Sequence, residues 1–176
     1  MNLIATVDKN WAIGKQGHLL VNIPEDIKLF RMETAGKAAI MGRKTYEQIT
    51  DRTALIDRYN VILTNDLSYK KDGVVVVHSV EEALEKVASY KSEDVYVIGG
   101  ESVFEQFLPY CDVAHITSVD YKYDADAHFP NLDKIPEWKV TQMSEEHTYF
   151  DLCYEFKKYC NCLLYTSPSP RDRTRS

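Results

Sequence analysis

The sequence predicts an α/β fold: a single domain whose central β-sheet is mostly parallel, flanked by helices on both faces and finished by a C-terminal antiparallel hairpin. Continuous apolar runs are typical of strands covered on both faces, and segments with helical features separate most of them. The last two apolar segments follow each other without a helix between them, which is typical of an antiparallel pair. A chain of 176 residues is long enough to bury a proper core as one domain.

The predicted strands are short apolar segments bounded by polar residues or glycine. In chain order they cover residues 3–7, 38–41, 60–64, 74–77, 95–98 and 114–119, and the hairpin strands cover residues 138–144 and 149–158. Several of these runs show no polar alternation, so they predict strands that are buried on both faces.

Predicted helices lie between these strands, and two of them have a marked beginning. Pro24 suits the first position of a helix because its missing N–H costs nothing there. Ser79 and Glu82 form a capping box that opens another helix. Helices are also predicted over residues 43–50 and 102–108. Residues 8–22 have little periodicity, so they predict a long connection of the kind that often serves as a lid.

The C-terminal segment differs from the rest of the chain. Residues 161–176 have no hydrophobic period and contain two prolines and three arginines. We therefore predict a domain over residues 1–159 and a non-native or disordered tail over residues 160–176. The alternative is a natural basic tail that binds an acidic partner.

Composition and charge exclude several classes of protein. Hydrophobic residues at 44% and charged residues at 27% are ordinary for a globular domain. The formal net charge of −6 argues against a nucleic-acid partner. We find no apolar window of membrane-spanning length and no signal-peptide pattern, so we expect a cytoplasmic protein without a membrane partner. The four cysteines form no CxxC pair and the five histidines no HExxH motif, so we predict free thiols and no metal site.

Asp26 is the leading candidate for a functional carboxylate. On the helix predicted to start at Pro24, Asp26 shares a face with Ile27 and Phe30, so its carboxylate is expected beside an apolar surface. Burial there would raise its pKa, and such an acid suits the cationic or amidine-like edge of a ligand. The alternative is that Asp26 only complements the helix dipole from the first turn.

Two strand-to-helix junctions predict a binding site for a diphosphate. They are Gly42-Arg43-Lys44-Thr45 and Gly99-Gly100-Glu101-Ser102. Each ends a buried strand in glycine, which allows close approach to the backbone, and each exposes the N–H groups of a new helix. The alternative for either one is a plain turn. A GxGxxG fingerprint does not follow the first strand, so an ordinary Rossmann site is not predicted.

Side chains near the first junction predict the form of the nucleotide. Arg43 and Lys44 carry full positive charges, and Thr64 and Asn65, which end the next strand, add hydroxyl and amide donors. Such a group suits a monophosphate beside a ribose. The sequence therefore favours NADPH over NADH.

Four segments together carry a family resemblance: Leu3-Ile4-Ala5, Ala12-Ile13-Gly14, and residues 38–45 and 95–104. From about residue 2 to residue 158, the chain resembles dihydrofolate reductase of the bacterial type. The resemblance implies NADPH-dependent reduction of 7,8-dihydrofolate to 5,6,7,8-tetrahydrofolate, by hydride transfer to pterin C6 and protonation of N5. We expect a monomer.

The resemblance implies a substrate pocket around Asp26. Asp26 would bond the 2-amino group and N3 of the pterin with support from Thr117, and we predict these two as the catalytic residues. Arg58 would pair with the α-carboxylate of the glutamyl tail, although taken alone it also fits a solvated surface charge. The predicted substrate-binding residues are Ile4, Ala5, Leu19, Asp26, Ile27, Phe30, Ile49, Leu55, Arg58, Ile98 and Thr117.

The resemblance also implies a cofactor site along the carboxyl ends of the strands. In the family, the matching arginine and threonine positions lie at the adenosine 2′-phosphate, and the Gly-Gly bond is a cis peptide. Ala5-Thr6, Ile13 and Gly14 match positions whose backbone holds the nicotinamide carboxamide. The predicted cofactor-binding residues are Thr6, Ile13, Gly14, Gly42, Arg43, Lys44, Thr45, Thr64, Asn65, His78, Ser79, Ile98, Gly99, Gly100, Glu101, Ser102, Val103 and Phe104.

The chain departs from the family pattern at one place. Leu20-Val21 stands where most members have Pro-Trp, which removes an indole N–H expected near the pterin. Two alternative functions accompany the main prediction. One is a pyrimidine reductase of riboflavin synthesis, which shares the fold and cofactor. The other is a folate- or nucleotide-binding module that has lost catalysis.

Overall fold

The computed structural model describes residues 1–48 and 57–163. The strands in this part of the chain are β1 (Asn2–Val7), β2 (Ala12–Lys15), β3 (His18–Leu19), β4 (Ala38–Gly42), β5 (Tyr59–Leu63), β6 (Val75–Val77), β7 (Val95–Gly99), β8 (Val113–Val119), β9 (Ala127–His128), β10 (Trp138–Met143), β11 (His147–Tyr149) and β12 (Leu152–Asn161). The helices are α1 (Pro24–Thr34), α2 (Arg43–Gln48), α3 (Val80–Lys86) and α4 (Glu101–Phe107).

Nine strands form the main sheet, in the order β10-β12-β8-β1-β7-β4-β5-β6, with β11 paired to β12 outside that path. β1 lies between β7 and β8 and is parallel to both. The pairs β4/β7, β4/β5 and β5/β6 continue the parallel arrangement. β12 is antiparallel to β8 and to β10. The predicted α/β fold, a mostly parallel sheet with an antiparallel C-terminal finish, is confirmed.

The strand β4 shows how the sheet is covered on both faces. Ala38 and Ile40 belong to a core cluster that includes residues of α3 and α4. Ala39 and Met41 belong to a second cluster, which includes a residue of α2 and packs against Phe30 of α1. Because successive side chains of a strand point to opposite faces, the two pairs of helices lie on opposite faces of the sheet. All four of these β4 residues are fully buried, which explains the continuous apolar run.

Residues 8–22 are more ordered than the sequence predicts. β2 pairs with β3 and with β9, so a second, antiparallel sheet forms in the order β3-β2-β9. The buried carboxylate of Asp8 accepts hydrogen bonds from the N–H groups of Asn10 at 2.7 Å, Ala12 at 2.9 Å and Tyr123 at 2.8 Å. The prediction of an irregular connection is wrong here because the pairing partner β9 is remote in the sequence.

The ends of the elements follow local signals where these exist. Pro24 occupies the first turn of α1, and the side chain of Ser79 caps α3 by accepting a hydrogen bond from the N–H of Glu82 at 3.1 Å. β12 continues to Asn161, past the predicted domain end at residue 159. Residues 49–56 and 164–176 lie outside the described residues, and with them most of the predicted tail.

None of the helices within residues 1–48 and 57–163 has the length and apolar character that crossing a membrane requires.

Candidate active site

The first turn of α1 carries Asp26 over the middle of the main sheet. Ile23, just before the helix, is fully buried and packs with Val119 of β8 and Tyr154 of β12. This apolar contact anchors the chain where α1 begins, and Pro24 occupies the first helical position. The side chain of Asp26 therefore reaches the facing surface of β1 and β8.

Two threonine hydroxyls hold the carboxylate of Asp26. The hydroxyl of Thr117 donates to Oδ1 at 2.6 Å, and the hydroxyl of Thr6 donates to Oδ2. Thr6 and Thr117 are direct neighbours in the parallel pairing of β1 with β8. The sheet thus presents two donors side by side, one for each carboxylate oxygen. Each oxygen keeps a further acceptor position, so the carboxylate can still accept two parallel donors from a ligand.

The surroundings of Asp26 make its ionised form less favourable than that of an aspartate in water. Burial raises the pKa of Asp26 above its ordinary value, the hydroxyls of Thr117 and Thr6 lower it, and the negative charge of Glu25 raises it, with a net upward shift. Burial thus raises the pKa of Asp26, as the sequence predicts. A ligand that brings positive charge or strong N–H donors to this carboxylate would stabilise its ionised form.

The predicted apolar substrate residues are divided between partly buried and exposed positions. Phe30 and Ile98 are partly buried and pack against the cluster that contains Met41. Ile4 and Ala5 are partly buried in β1, whereas Leu19 is 71% exposed and Ile27 is 37% exposed. The predictions for Ile49 and Leu55 lie outside the described residues.

Arg58 is fixed to the C-terminal end of α1. Its Nε donates to the hydroxyl of Thr34 at 2.7 Å, and its Nη2 donates to the carbonyl of Arg31 at 2.7 Å. Thr34 is itself fully buried and donates to the carbonyl of Phe30 at 2.8 Å. Burial lowers the pKa of Arg58, and the negative charge of Asp57 opposes that shift. The guanidinium is thus held in one orientation at the end of the helix that carries Asp26.

The two glycine junctions lie against each other. A Cβ built on Gly42 would lie 3.8 Å from the carbonyl oxygen of Gly99, and a Cβ built on Gly100 would lie 3.5 Å from Oγ1 of Thr45. Gly99 has a φ of +114°, which favours glycine, and a Cβ there would meet the ring of Phe104 at 3.0 Å. The Gly99–Gly100 peptide is cis, as the resemblance implies. Bare backbone therefore lies at both junctions, which fits the diphosphate of a dinucleotide.

Two of the other predicted cofactor residues, Val103 and Phe104, pack against the glycines of the junctions. Ile13 and Gly14 lie buried in β2, and Val103 and Phe104 are buried beneath the second junction. The carboxylate of Glu101 accepts a hydrogen bond from the N–H of His128 at 3.2 Å, which ties the start of α4 to β9.

Comparisons with known proteins agree with this geometry. The dihydrofolate reductase family model matches residues 1–161. The chain belongs to the dihydrofolate reductase family.

Two curated relatives and one solved structure show the extent of the similarity. The dihydrofolate reductase of Bacillus subtilis (strain 168) is 31% identical over 163 residues, which cover 90% of this chain and 93% of that protein. Dihydrofolate reductase HdrB of Haloferax volcanii is 34% identical over 162 residues, covering 89% and 83%. The structure of the Enterococcus faecalis dihydrofolate reductase, complexed with NADP(H) and RAB-propyl, has a TM-score of 0.79 at 30% identity, covering 90% of this chain and 94% of that one.

Membership of the dihydrofolate reductase family confirms several predictions together. These are the bacterial-type family, the oxidoreductase class, NADPH as the cofactor and the reduction of dihydrofolate as the activity. The alternative of a pyrimidine reductase receives no support from these comparisons.

In this member of the dihydrofolate reductase family, carboxylates hold the arginine of the first junction. Nη1 of Arg43 donates to Asp66 at 3.1 Å, and its Nε donates to Glu47 at 3.4 Å. The guanidinium also lies 5.0 Å from the ring centroid of Tyr69. Asp66 is held in turn by Ser68, whose N–H and hydroxyl donate to it at 2.9 and 2.6 Å.

The predicted adenosine side brings together the ends of β5 and β6. Nδ1 of His78 lies 2.9 Å from the carbonyl oxygen of Thr64, and the hydroxyl of Thr64 accepts a hydrogen bond from the N–H of Asp66 at 3.1 Å. Lys44 and Asn65 are exposed near this place. The residues predicted around the 2′-phosphate therefore lie on neighbouring elements.

Sequence reasoning missed several polar contacts of this reductase site. Thr6 was predicted only as a cofactor contact, and its hydroxyl bonds to Asp26. Glu47 follows Arg43 by four residues on α2, a helical spacing that would have indicated the ion pair. The contact between Arg43 and Asp66 joins different elements and left no local signal.

Proposed function

We propose that this protein reduces 7,8-dihydrofolate with NADPH at the site around Asp26, and that Asp26 and Thr117 hold the pterin for catalysis. The observation that best supports these roles is the half-buried carboxylate of Asp26, held on two hydroxyls and one helical turn from the ring of Phe30. A carboxylate in such a place is chemically matched to a flat heterocycle with paired N–H donors.

The pterin edge offers the donors that this carboxylate can accept. The 2-amino group and N3 present two parallel N–H groups, which suit the two oxygens of Asp26. We assign the ion pair with the glutamyl α-carboxylate to Arg58, whose guanidinium the end of α1 already orients. The other substrate contacts that we propose are apolar or backbone contacts from Ile4, Ala5, Leu19, Ile27, Phe30, Ile49, Leu55 and Ile98.

Asp26 assists the reaction without reaching N5 of the pterin. It fixes the ring in place, and its negative charge favours the N5-protonated form while water delivers the proton. NADPH, when bound, supplies the hydride for pterin C6. The chain contributes orientation of the substrate and an apolar surround that limits access of water.

The proposed cofactor contacts follow from the two glycine junctions and the residues beside them. Bare backbone at Gly42, Gly99 and Gly100 would receive the diphosphate, and Arg43 and Lys44 would receive the 2′-phosphate. Backbone groups of Thr6, Ile13 and Gly14 would hold the nicotinamide carboxamide. The further residues in this proposal are Thr45, Thr64, Asn65, His78, Ser79, Ile98, Glu101, Ser102, Val103 and Phe104.

The test of this proposal is the Asp26→Asn variant in a spectrophotometric assay of NADPH oxidation with dihydrofolate. We expect kcat/KM for dihydrofolate to fall by about 100-fold or more at neutral pH, because the charge that favours N5 protonation is lost. The Kd for NADPH should change less than about twofold, since Asp26 is not among the proposed cofactor contacts.

A matched control is Glu25→Gln, which removes a neighbouring carboxylate whose side chain is 53% exposed and pairs with His147 at 3.4 Å. We expect this variant to stay within a fewfold of the wild-type kcat/KM. Wild-type activity in Asp26→Asn would remove Asp26 from the proposed role. Binding of both ligands by the wild-type protein without turnover would select the non-catalytic alternative.

We further propose that the protein is a cytoplasmic monomer. Its four cysteines are free thiols, which suits a reducing compartment. Light scattering after size exclusion should give a mass near 20.3 kDa, and a mass near twice that value would contradict the monomer.

A further inference from the structure

The carboxylate of Asp26 has two donors from the sheet, and they come from different strands. Thr117 lies on β8 and is 5% exposed, whereas Thr6 lies on β1 and is partly buried. The parallel register pairs the two residues directly, so their side chains stand on the same face of the sheet. Neither donor depends on a flexible loop, because each is part of a strand in the middle of the main sheet.

The two donors have different consequences for the carboxylate. With Thr117 alone, a single hydrogen bond restrains rotation about the Cβ–Cγ bond, whose torsion in an aspartate is broad. With Thr6 as well, both oxygens are anchored and the plane of the carboxylate is set. A ligand with two parallel N–H groups needs that plane in one orientation, so anchoring it beforehand removes an ordering cost from binding.

We propose that Thr6 is a positioning residue for dihydrofolate reduction: its hydroxyl sets the plane of the Asp26 carboxylate and stabilises its ionised form before the pterin binds. This inference rests on the proposed function of Asp26. It assigns Thr6 a role through its side chain, in addition to the backbone contact to the cofactor proposed above.

The charges around Asp26 explain why a second hydroxyl matters. Within residues 1–48 and 57–163 we find no salt bridge to Asp26, so no described cation offsets its burial. Glu25 on the same helix and burial both raise the pKa of Asp26. Tyr154 on β12 also faces this charge, and His147 on β11 is paired with Glu25. The hydroxyls of Thr117 and Thr6 oppose these effects by lowering the pKa of Asp26.

The test compares Thr6→Val, which keeps the shape but removes the donor, with Thr6→Ser, which keeps the donor. Hydrogen bonds to the charged form favour ionisation, so Thr6→Val should raise the pKa of Asp26. In Thr6→Ser, which keeps the hydroxyl, the pKa of Asp26 should stay closer to the wild-type value. The readout is the titration of the Asp26 carboxyl carbon by NMR in the ligand-free protein. The Asp26→Asn spectrum identifies the signal.

Activity gives a second readout of the same proposal. Thr6→Val should lower kcat/KM for dihydrofolate by about 10-fold, the scale of one hydrogen bond to a charged group, and shift the acidic side of its pH profile to higher pH. Thr6→Ser should recover most of the loss. The Kd for NADPH, measured by fluorescence, separates this effect from a disturbed backbone contact to the cofactor, which would weaken NADPH in both variants.

The outcomes are distinguishable. An unchanged pKa of Asp26 and an unchanged kcat/KM in Thr6→Val would overturn the role of Thr6 and leave the proposed function intact. An inactive wild-type protein would overturn the proposed function, while the titration would still report whether Thr6 stabilises the carboxylate. If Thr6→Val does not fold, Thr6→Ala provides the same loss of the donor.

Discussion

Arg58 donates a hydrogen bond through Nε to the hydroxyl of the buried Thr34, across 24 positions of sequence. The same guanidinium donates to the carbonyl of Arg31, so Arg58 satisfies the C-terminal end of the helix that begins with Pro24. A residue proposed to bind the substrate tail is therefore also part of the support of α1, and the two roles can be separated experimentally.

Thr34→Val should leave the guanidinium of Arg58 without one acceptor while keeping the shape of the buried side chain. We expect the free energy of unfolding, measured by urea denaturation, to fall by about 1 kcal/mol, the usual net contribution of one hydrogen bond. KM should rise for dihydrofolate but not for a dihydropterin without the glutamyl tail. An equal rise for both substrates would show that Arg58 does not orient toward the tail.

Arg43 should control the preference for NADPH over NADH. Arg43→Ala should weaken NADPH by about 10-fold or more with little change for NADH, because the lost charge is the one that we propose for the 2′-phosphate. Equal losses of affinity for NADPH and NADH would mean that the 2′-phosphate binds elsewhere.

Asp66→Asn tests the competition for Arg43. The carboxylate holds Arg43 at 3.1 Å, and a bound phosphate would compete with it for the guanidinium. We expect NADPH to bind about two- to fivefold more tightly in the variant, the scale of an exposed ion pair, with NADH unchanged. Glu47→Gln removes the longer contact to the same guanidinium, at 3.4 Å, and should give a smaller gain in NADPH affinity. A loss of NADPH affinity in Asp66→Asn would mean that the carboxylate positions Arg43 rather than competing for it.

Asp26→Asn should stabilise the ligand-free protein although it lowers activity. The raised pKa means that the folded state binds the proton of Asp26 more tightly than the unfolded chain does, so this group reduces stability as the pH rises above the ordinary value of 3.8. At pH 7 the neutral asparagine avoids that loss, and Tm should rise by about 2–4 °C for each 1 kcal/mol regained. A lower Tm at pH 7 in calorimetry would contradict this account.

His115 should make the stability of the fold depend on pH in the opposite direction. Burial lowers the pKa of His115, Glu33 opposes the shift, and Lys158 and Lys37 add to it. The unfolded chain therefore binds the proton more readily, so the free energy of unfolding should fall as the pH drops through about 6.5 and below. Urea denaturation across that range should show a smaller fall in His115→Gln than in the wild type, and an equal fall would contradict this account.

Local sequence signals predict part of the fold, because each of them acts within one helical turn or one strand. Pro24 and Ser79 mark helix starts through their own backbone and side-chain chemistry, and both stand where the sequence indicates. The unbroken apolar run of β4 reflects burial on both faces, which any covered parallel strand requires. Asp26 was identified for the same reason, since its position one turn from Phe30 follows from helical spacing alone.

By itself, the sequence determined the class of fold, the two glycine junctions and the carboxylate at the start of α1, because each depends on neighbours within a few residues. The tertiary structure alone decided that Thr6 and Thr117 meet on one carboxylate, that Asp66 holds Arg43, and that β9 orders residues 8–22. These contacts join segments that are distant in the chain, and strand order and register bring them together. Composition, spacing and periodicity do not specify either one.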